Sequence, residues 1–152
     1  MTPDVRGSIL GAAVKRVEDP RFIKGEGRYM GDIHLDGEVW MVPVRSQVPH
    51  GTIRSIDVDE ARRMPGVVGV FGPDVLPGTM PIDFAGQTDA TRMKLITSDA
   101  VRYVGDIVAV VVAETERQAV DAAETVWLDV DPLPVVATVH EAVAENAPVL
   151  FP

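Results

Sequence analysis

The chain has no cysteine among its 152 residues. That excludes disulfides, a thiolate nucleophile and thiolate-bound zinc or iron–sulfur centres built from this chain's own side chains. Aromatic residues are scarce, at 5%, so the core must be made of aliphatic and small side chains. No apolar run approaches the ~20 residues needed to span a bilayer as a helix. The first ten residues lack a basic stretch followed by an apolar one, so no secretory signal is expected and a cytoplasmic location is the default. Basic residues run out towards the C-terminus: after Arg102 only Arg117 remains, against nine acids. With a net charge of −9, the chain lacks the basic surface from which nucleic-acid binders draw most of their affinity.

What is present fits one domain of mixed α/β (α+β) class. The length matches a compact domain of ~100–150 residues. Residues 1–28 read as an irregular N-terminal arm carrying Lys15, Arg16, Arg21, Lys24 and Arg28, with Pro20 and spaced glycines interrupting any period. Residues 29–152 read as the domain proper, a small sheet with two to three short helices packed on it. A strand is expected over 37–45, apolar on both faces and therefore covered on both, although Pro43 points to an edge or a bulge. A short strand through Ile53, Ile56 and Val58 follows. Asp57 and Glu60 then have capping-box spacing for a brief helix ended by Met64-Pro65-Gly66. Val67 to Phe71 reads as a strand, and 72–86, rich in proline and glycine, as a long loop.

The most informative stretch is 101–134. Residues 107–113 are continuously apolar, as in a buried strand. Thr115 with Gln118 forms a capping box, and Ala119, Ala122, Ala123 and Val126 make one stripe at helical spacing. A strand over 127–130 is stopped by Asp131-Pro132-Leu133-Pro134, and Thr138 with Glu141 starts a last short helix.

Reactive groups do not assemble in this pattern. His34 and His140 read as solvated or hydrogen-bonded. His50, in a Pro-His-Gly loop between strands, keeps a functional reading open. The glycines at 25, 27 and 31 fail the dinucleotide spacing, and no strand precedes them. Asp129 and Asp131 share a strand face, which reads as a solvated edge before a metal site. No nucleophile, base and oxyanion donor come together. A small acid–base enzyme built on His50 is the weakest reading, and a free-standing binding or adaptor domain is the alternative to the one below.

The order of several segments carries more. Val14-Lys15-Arg16-Val17-Glu18-Asp19-Pro20-Arg21-Phe22-Ile23-Lys24-Gly25 opens the pattern, followed by Gly27-Arg28-Tyr29 and Gly31-Asp32-Ile33. Val44-Arg45-Ser46, His50, Ser55-Ile56-Asp57 and Met64-Pro65-Gly66-Val67 continue it. The strongest block is Val101-Arg102-Tyr103-Val104-Gly105-Asp106-Ile107 through Ala113-Glu114-Thr115, then Gln118-Ala119 and Leu133-Pro134. Together they resemble the N-terminal α/β-hammerhead domain of the molybdopterin-binding large subunit of the xanthine dehydrogenase and aldehyde oxidase family, which includes carbon monoxide dehydrogenase large chains. Two positions depart from it: Thr52 stands where the family usually has arginine, and Ile107 where it often has proline. The resemblance implies a non-catalytic scaffold and interface domain of a molybdenum hydroxylase, an N-terminal fragment or separate small subunit. The molybdopterin-type molybdenum cofactor is expected elsewhere in the full enzyme. The implied partners are the cofactor-binding domains of the same enzyme and iron–sulfur and flavin subunits or domains, with no nucleic acid and no membrane insertion. No catalytic, cofactor-binding or metal-ligating position is assigned to this chain, which alone is expected to be inactive. Residues 47–52 and 72–86, expected as exposed loops, are the candidate contacts.

Overall fold

The computed structural model describes residues 13–75 and 91–151. The chain divides into two units, Met1–Gly37 and Glu38–Pro152. In the first, a five-residue helix α1 (Asp19–Ile23) stands where an irregular arm was expected. Pro20 sits in its first turn, where the missing N–H has no helical partner to lose, so the proline opens the helix instead of interrupting it. The Phe22 and Tyr29 rings stack at 5.8 Å and Arg21 lies over Phe22, and a 3₁₀ turn follows at Met30–Asp32.

The second unit holds two three-stranded antiparallel sheets. The first has the order β1 (Trp40–Arg45), β5 (Ile107–Ala113), β3 (Val67–Phe71); the second has β4 (Ala100–Val101), β2 (Gly51–Asp57), β6 (Trp127–Pro132). Helix α2 (Asp59–Arg63) connects β2 to β3 and α3 (Glu116–Glu124) connects β5 to β6. Each strand–helix–strand unit expected from the sequence therefore passes from one sheet to the other, in opposite senses. Mixed α/β architecture holds, but with two small sheets in place of one. A last helix, α4 (Val139–Ala142), follows β6.

The clearest sequence signals land where they should. β5 is the central strand of its sheet, with Val108, Ala109, Val111 and Ala113 fully buried. Ala119 and Ala122 of α3 are also fully buried, so the small side chains let the helix lie close on β1 and β5. Thr115 caps α3 by accepting the Gln118 N–H. The Gln118 side chain, however, accepts from the Thr115 hydroxyl instead of closing the box on a backbone N–H. Thr138 and Glu141 do form the full reciprocal box of α4.

Other expectations are corrected. β1 begins at Trp40, after the positive-φ turn at Gly37. It is an edge strand with a register shift at Val44/Arg45, as Pro43 suggested, but it is not covered on both faces, since Met41 is 66% exposed. Asp57 does not cap α2: Val58 occupies the cap position, and the Asp57 carboxylate accepts the N–H of Asp59, two residues on, in the turn that leads into the helix. β6 continues through Pro132, which pairs with Gly51. A sheet edge tolerates proline because no outward partner needs its missing N–H. A shift between Ile53 and Ser55 explains why Ile53 and Ile56, three apart, both turn to the core. Side chains from both sheets and from α2 and α3 meet in one cluster around Val44, Val70, Val101, Val108 and Val111.

Candidate functional site

Residues 47–52 are exposed only at Gln47 and Thr52, with Val48 and Pro49 half-buried. Ser46 is fully buried, His50 is 7% exposed, and Gly51 and Thr52 already belong to β2. The Ser46 hydroxyl bonds the Val48 backbone, turning the chain tightly into β2. His50 then reaches 84 residues along the sequence to the Pro134 carbonyl, with Nδ1 at 2.6 Å. A carbonyl only accepts, so Nδ1 carries the proton. The His50 carbonyl in turn accepts the Leu133 N–H. His50 thus joins the start of β2 to the segment that follows β6. Of the other candidate contact, residues 72–75 are described and 76–86 lie outside the described residues.

Beside His50 lies the turn 102–106. It is stapled to the end of β1: Ser46 N–H donates to Asp106 O, Gly105 N–H to Ser46 O, and Arg45 to Gly105 O. Gly105, at φ +97°, supplies the left-handed residue this turn requires. Asp106 is 7% exposed and accepts the Arg102 N–H. Burial pushes its carboxyl above the ordinary aspartate value, and hydrogen bonds from Arg102 N–H and the Tyr103 hydroxyl oppose that shift. Burial and the Asp106 charge likewise raise Tyr103.

Arg102 is the centre of this region, and the sequence reading gave it no role. Its side chain donates to Ala100 O at 3.0 Å, Asp99 Oδ2 at 3.0 Å and Leu150 O at 3.1 Å. Its guanidinium lies 5.3 Å from the Phe151 ring centroid. Asp99 is shared with Lys94 at 2.7 Å, and the Arg102 hydrogen bond is the main cause that holds its carboxyl well below the usual range. The sequence hint was an arginine between Asp99 and Asp106 in an otherwise acidic region.

Two recesses share Arg102 and Tyr103. One, of about 70 Å³, is lined by Arg92, Lys94, Thr97, Asp106 and Phe151 among others. The second, about 210 Å³, is mainly apolar, with Pro49, His50, Val104, Val135 and Leu150 in its walls. An open groove of about 520 Å³ at the ends of β2 and β3 carries Asp57, Asp59 and Asp74 against Arg62. Cofactor sites typically need ~300–1,000 Å³ with polar groups matched to the ligand. The two recesses are smaller than that, and the acidic groove repels an anionic phosphate. The described residues therefore do not fit a molybdopterin-type cofactor.

The remaining candidates are also placed. Asp131 forms a two-pronged ion pair with Arg54 across the β2–β6 ladder, and Asp129 lies partly buried two residues away. Among the described residues no group of three or more metal-ligating side chains gathers. His34 is exposed in the first unit, and His140 is exposed on α4. No helix among the described residues is long and apolar enough to cross a membrane.

Known proteins share this arrangement. The family described as "Aldehyde oxidase and xanthine dehydrogenase, a/b hammerhead domain" matches residues 24–134. The nicotine 6-hydroxylase large subunit of Paenarthrobacter nicotinovorans is 37% identical, over 89% of this chain and 17% of its own length. The carbon monoxide dehydrogenase large chain of Afipia carboxidovorans is also 37% identical, over 93% of this chain and 17% of its own. The crystal structure of a Cu,Mo-CO dehydrogenase superposes with a TM-score of 0.77 at 36% identity, covering 91% of this chain and 17% of that one. The aldehyde oxidoreductase of Desulfovibrio gigas gives 0.79 at 30% identity, covering 90% and 16%. This chain thus spans 17% of the length of the first curated relatives it matches. From its strands, its buried turn and these matches, the chain belongs to the α/β-hammerhead family of aldehyde oxidases and xanthine dehydrogenases.

Proposed function

We propose that this chain is a non-catalytic scaffold and interface domain of a molybdenum hydroxylase. One observation carries the reading most directly: nine-tenths of the chain matches a slice of about one-sixth of far longer enzymes. Those enzymes include ones named for carbon monoxide and for aldehyde chemistry, and a molybdenum-binding subunit of Escherichia coli xanthine dehydrogenase. The surface agrees. Val135, Val139, Val143 and Val149, on and around α4, are 48–78% exposed, which leaves aliphatic side chains available to a neighbouring domain. His50, the best histidine candidate, has its protonated nitrogen committed to the Pro134 carbonyl.

In this reading the domain packs against the cofactor-binding domains of the same enzyme, and iron–sulfur and flavin subunits or domains complete the electron path. The molybdopterin-type molybdenum cofactor sits outside this chain. An N-terminal arm over residues 1–28, a hammerhead body over 29–152 and a cytoplasmic location belong to the same proposal. The test is affinity purification from the native host, with molybdenum measured in the eluate. Molybdenum co-eluting with a large polypeptide and turnover absent from the isolated chain are the expected results. A chain that elutes alone, monomeric and molybdenum-free refutes the proposal and favours a free-standing binding domain.

A further inference from the structure

After α4 the chain is attached to the body in an unusual way. The backbone hydrogen bonds of Val143, Ala144 and Ala147 are local, to Val139, Glu141 and Ala144. Val143 and Val149 remain 76% and 70% exposed, so little apolar burial holds this stretch down. Its attachment runs through Leu150 and Phe151. Leu150 contributes to the apolar recess with Pro49, Val104 and Val135, while Phe151 closes the smaller one beside Thr97 and Asp106. Between them stands Arg102.

The arginine is built for this position. Its side chain is only 18% exposed, and its backbone is fixed by Asp106. Ala100 O and Asp99 take the outer prongs of the guanidinium, which orients Nε–H towards the Leu150 carbonyl and one flat face towards Phe151. Planar, fork-like donors make such a simultaneous arrangement, whereas a lysine ammonium is a point charge and cannot. One guanidinium thus holds the Leu150 carbonyl by a hydrogen bond and the ring of the next residue, Phe151, by its face.

We propose that Arg102 is a clamp for an adjacent aliphatic–aromatic pair, Leu150 and Phe151, and that it sets the direction of the polypeptide beyond α4. This deepens the scaffold reading and rests on it for its purpose, because a domain that positions its neighbours needs a fixed point where the chain turns towards them. The clamp is nevertheless a property of this chain and is tested in it, independently of molybdenum or any partner.

The experiment is ¹⁵N relaxation on the full chain, read at Val149, Leu150 and Phe151. Order parameters near the rigid value of about 0.85 are expected in the unchanged chain, falling below about 0.6 in Arg102→Gln and in Phe151→Ala, with residues 107–113 unchanged. Phe151→Tyr keeps the ring and should keep the segment rigid. Arg102→Lys keeps the charge without the fork and should release it. A lysine variant as rigid as the unchanged chain overturns the clamp in favour of simple charge. If Arg102→Gln loses the fold, Phe151→Ala decides: continued rigidity of 149–151 in that variant overturns the proposal. Loss of rigidity with molybdenum co-purification absent would keep the clamp and remove only the scaffold reading.

Discussion

Replacing His50 by alanine separates a structural histidine from a catalytic one. The side chain is 7% exposed and donates from Nδ1 to the Pro134 carbonyl at 2.6 Å. A buried neutral hydrogen bond contributes about 1 kcal/mol net. Burial of the ring carbons contributes about another 1 kcal/mol at ~25 cal/mol per Å². Pro134 is itself exposed, so water replaces the lost donor and no orphaned carbonyl adds to the cost. His50→Ala should therefore destabilise the chain by about 2 kcal/mol. With a urea slope of about 2 kcal/mol per M, the unfolding midpoint falls by about 1 M. His50→Asn places a side-chain N–H close to the position of Nδ1 and should recover about half of the loss. Urea unfolding followed by circular dichroism checks both. A midpoint moved by less than about 0.2 M in His50→Ala, or asparagine no better than alanine, would refute the assignment of His50 as a tie between β2 and the segment after β6.

Two further outcomes follow from local geometry. A methyl group on Gly51 would meet Val130 Cγ1 and the Asp131 carbonyl oxygen at 2.3 and 2.6 Å, and the latter is backbone that cannot yield without parting β2 from β6. Gly51→Ala should cost about 3 kcal/mol, lowering Tm by roughly 6–12 °C by calorimetry. Gly31→Ala, with open space around it, should stay within about 0.5 kcal/mol. Asp99 supplies the pH dependence. Its folded carboxyl is held below its unfolded value, first by the Arg102 hydrogen bond. The stability it adds is therefore present above the ordinary aspartate range near 4 and lost as pH falls through the folded value. Urea unfolding at pH 7, 4 and 3 should show the advantage of the unchanged chain over Asp99→Asn shrinking with acid; an advantage that grows would contradict the Arg102–Asp99 pairing.

Much of the chain was legible because its signals are local. The continuous aliphatic run of β5 marks a strand buried on both faces whatever its neighbours are. The caps at Thr115 and Thr138 form within three residues, and the alanine stripe of α3 needs only helical period. The same locality misled at Pro20, which opens a helix, and at Asp57, where the turn before the helix took the carboxylate instead. Residues 47–52 looked like a loop because proline and glycine adjoin there. Packing against β6 and the 102–106 turn buried His50 and Gly51 and half-buried Val48 and Pro49.

For the region around Arg102, the sequence determined the parts and the tertiary structure decided their use. An aliphatic core without cysteine, the two capped helix starts at Thr115 and Thr138 and a family-like order of segments were fixed by neighbours along the chain. The split into two sheets, the tie from His50 to Pro134 and the grip of Arg102 on Leu150 were not. Those contacts join residues 84 and 48 positions apart. Sequence spacing constrains side chains over a turn or two of helix or strand. Beyond that range it is the antiparallel pairing of β2 with β6, and of β5 with β1 and β3, that decides which distant groups meet.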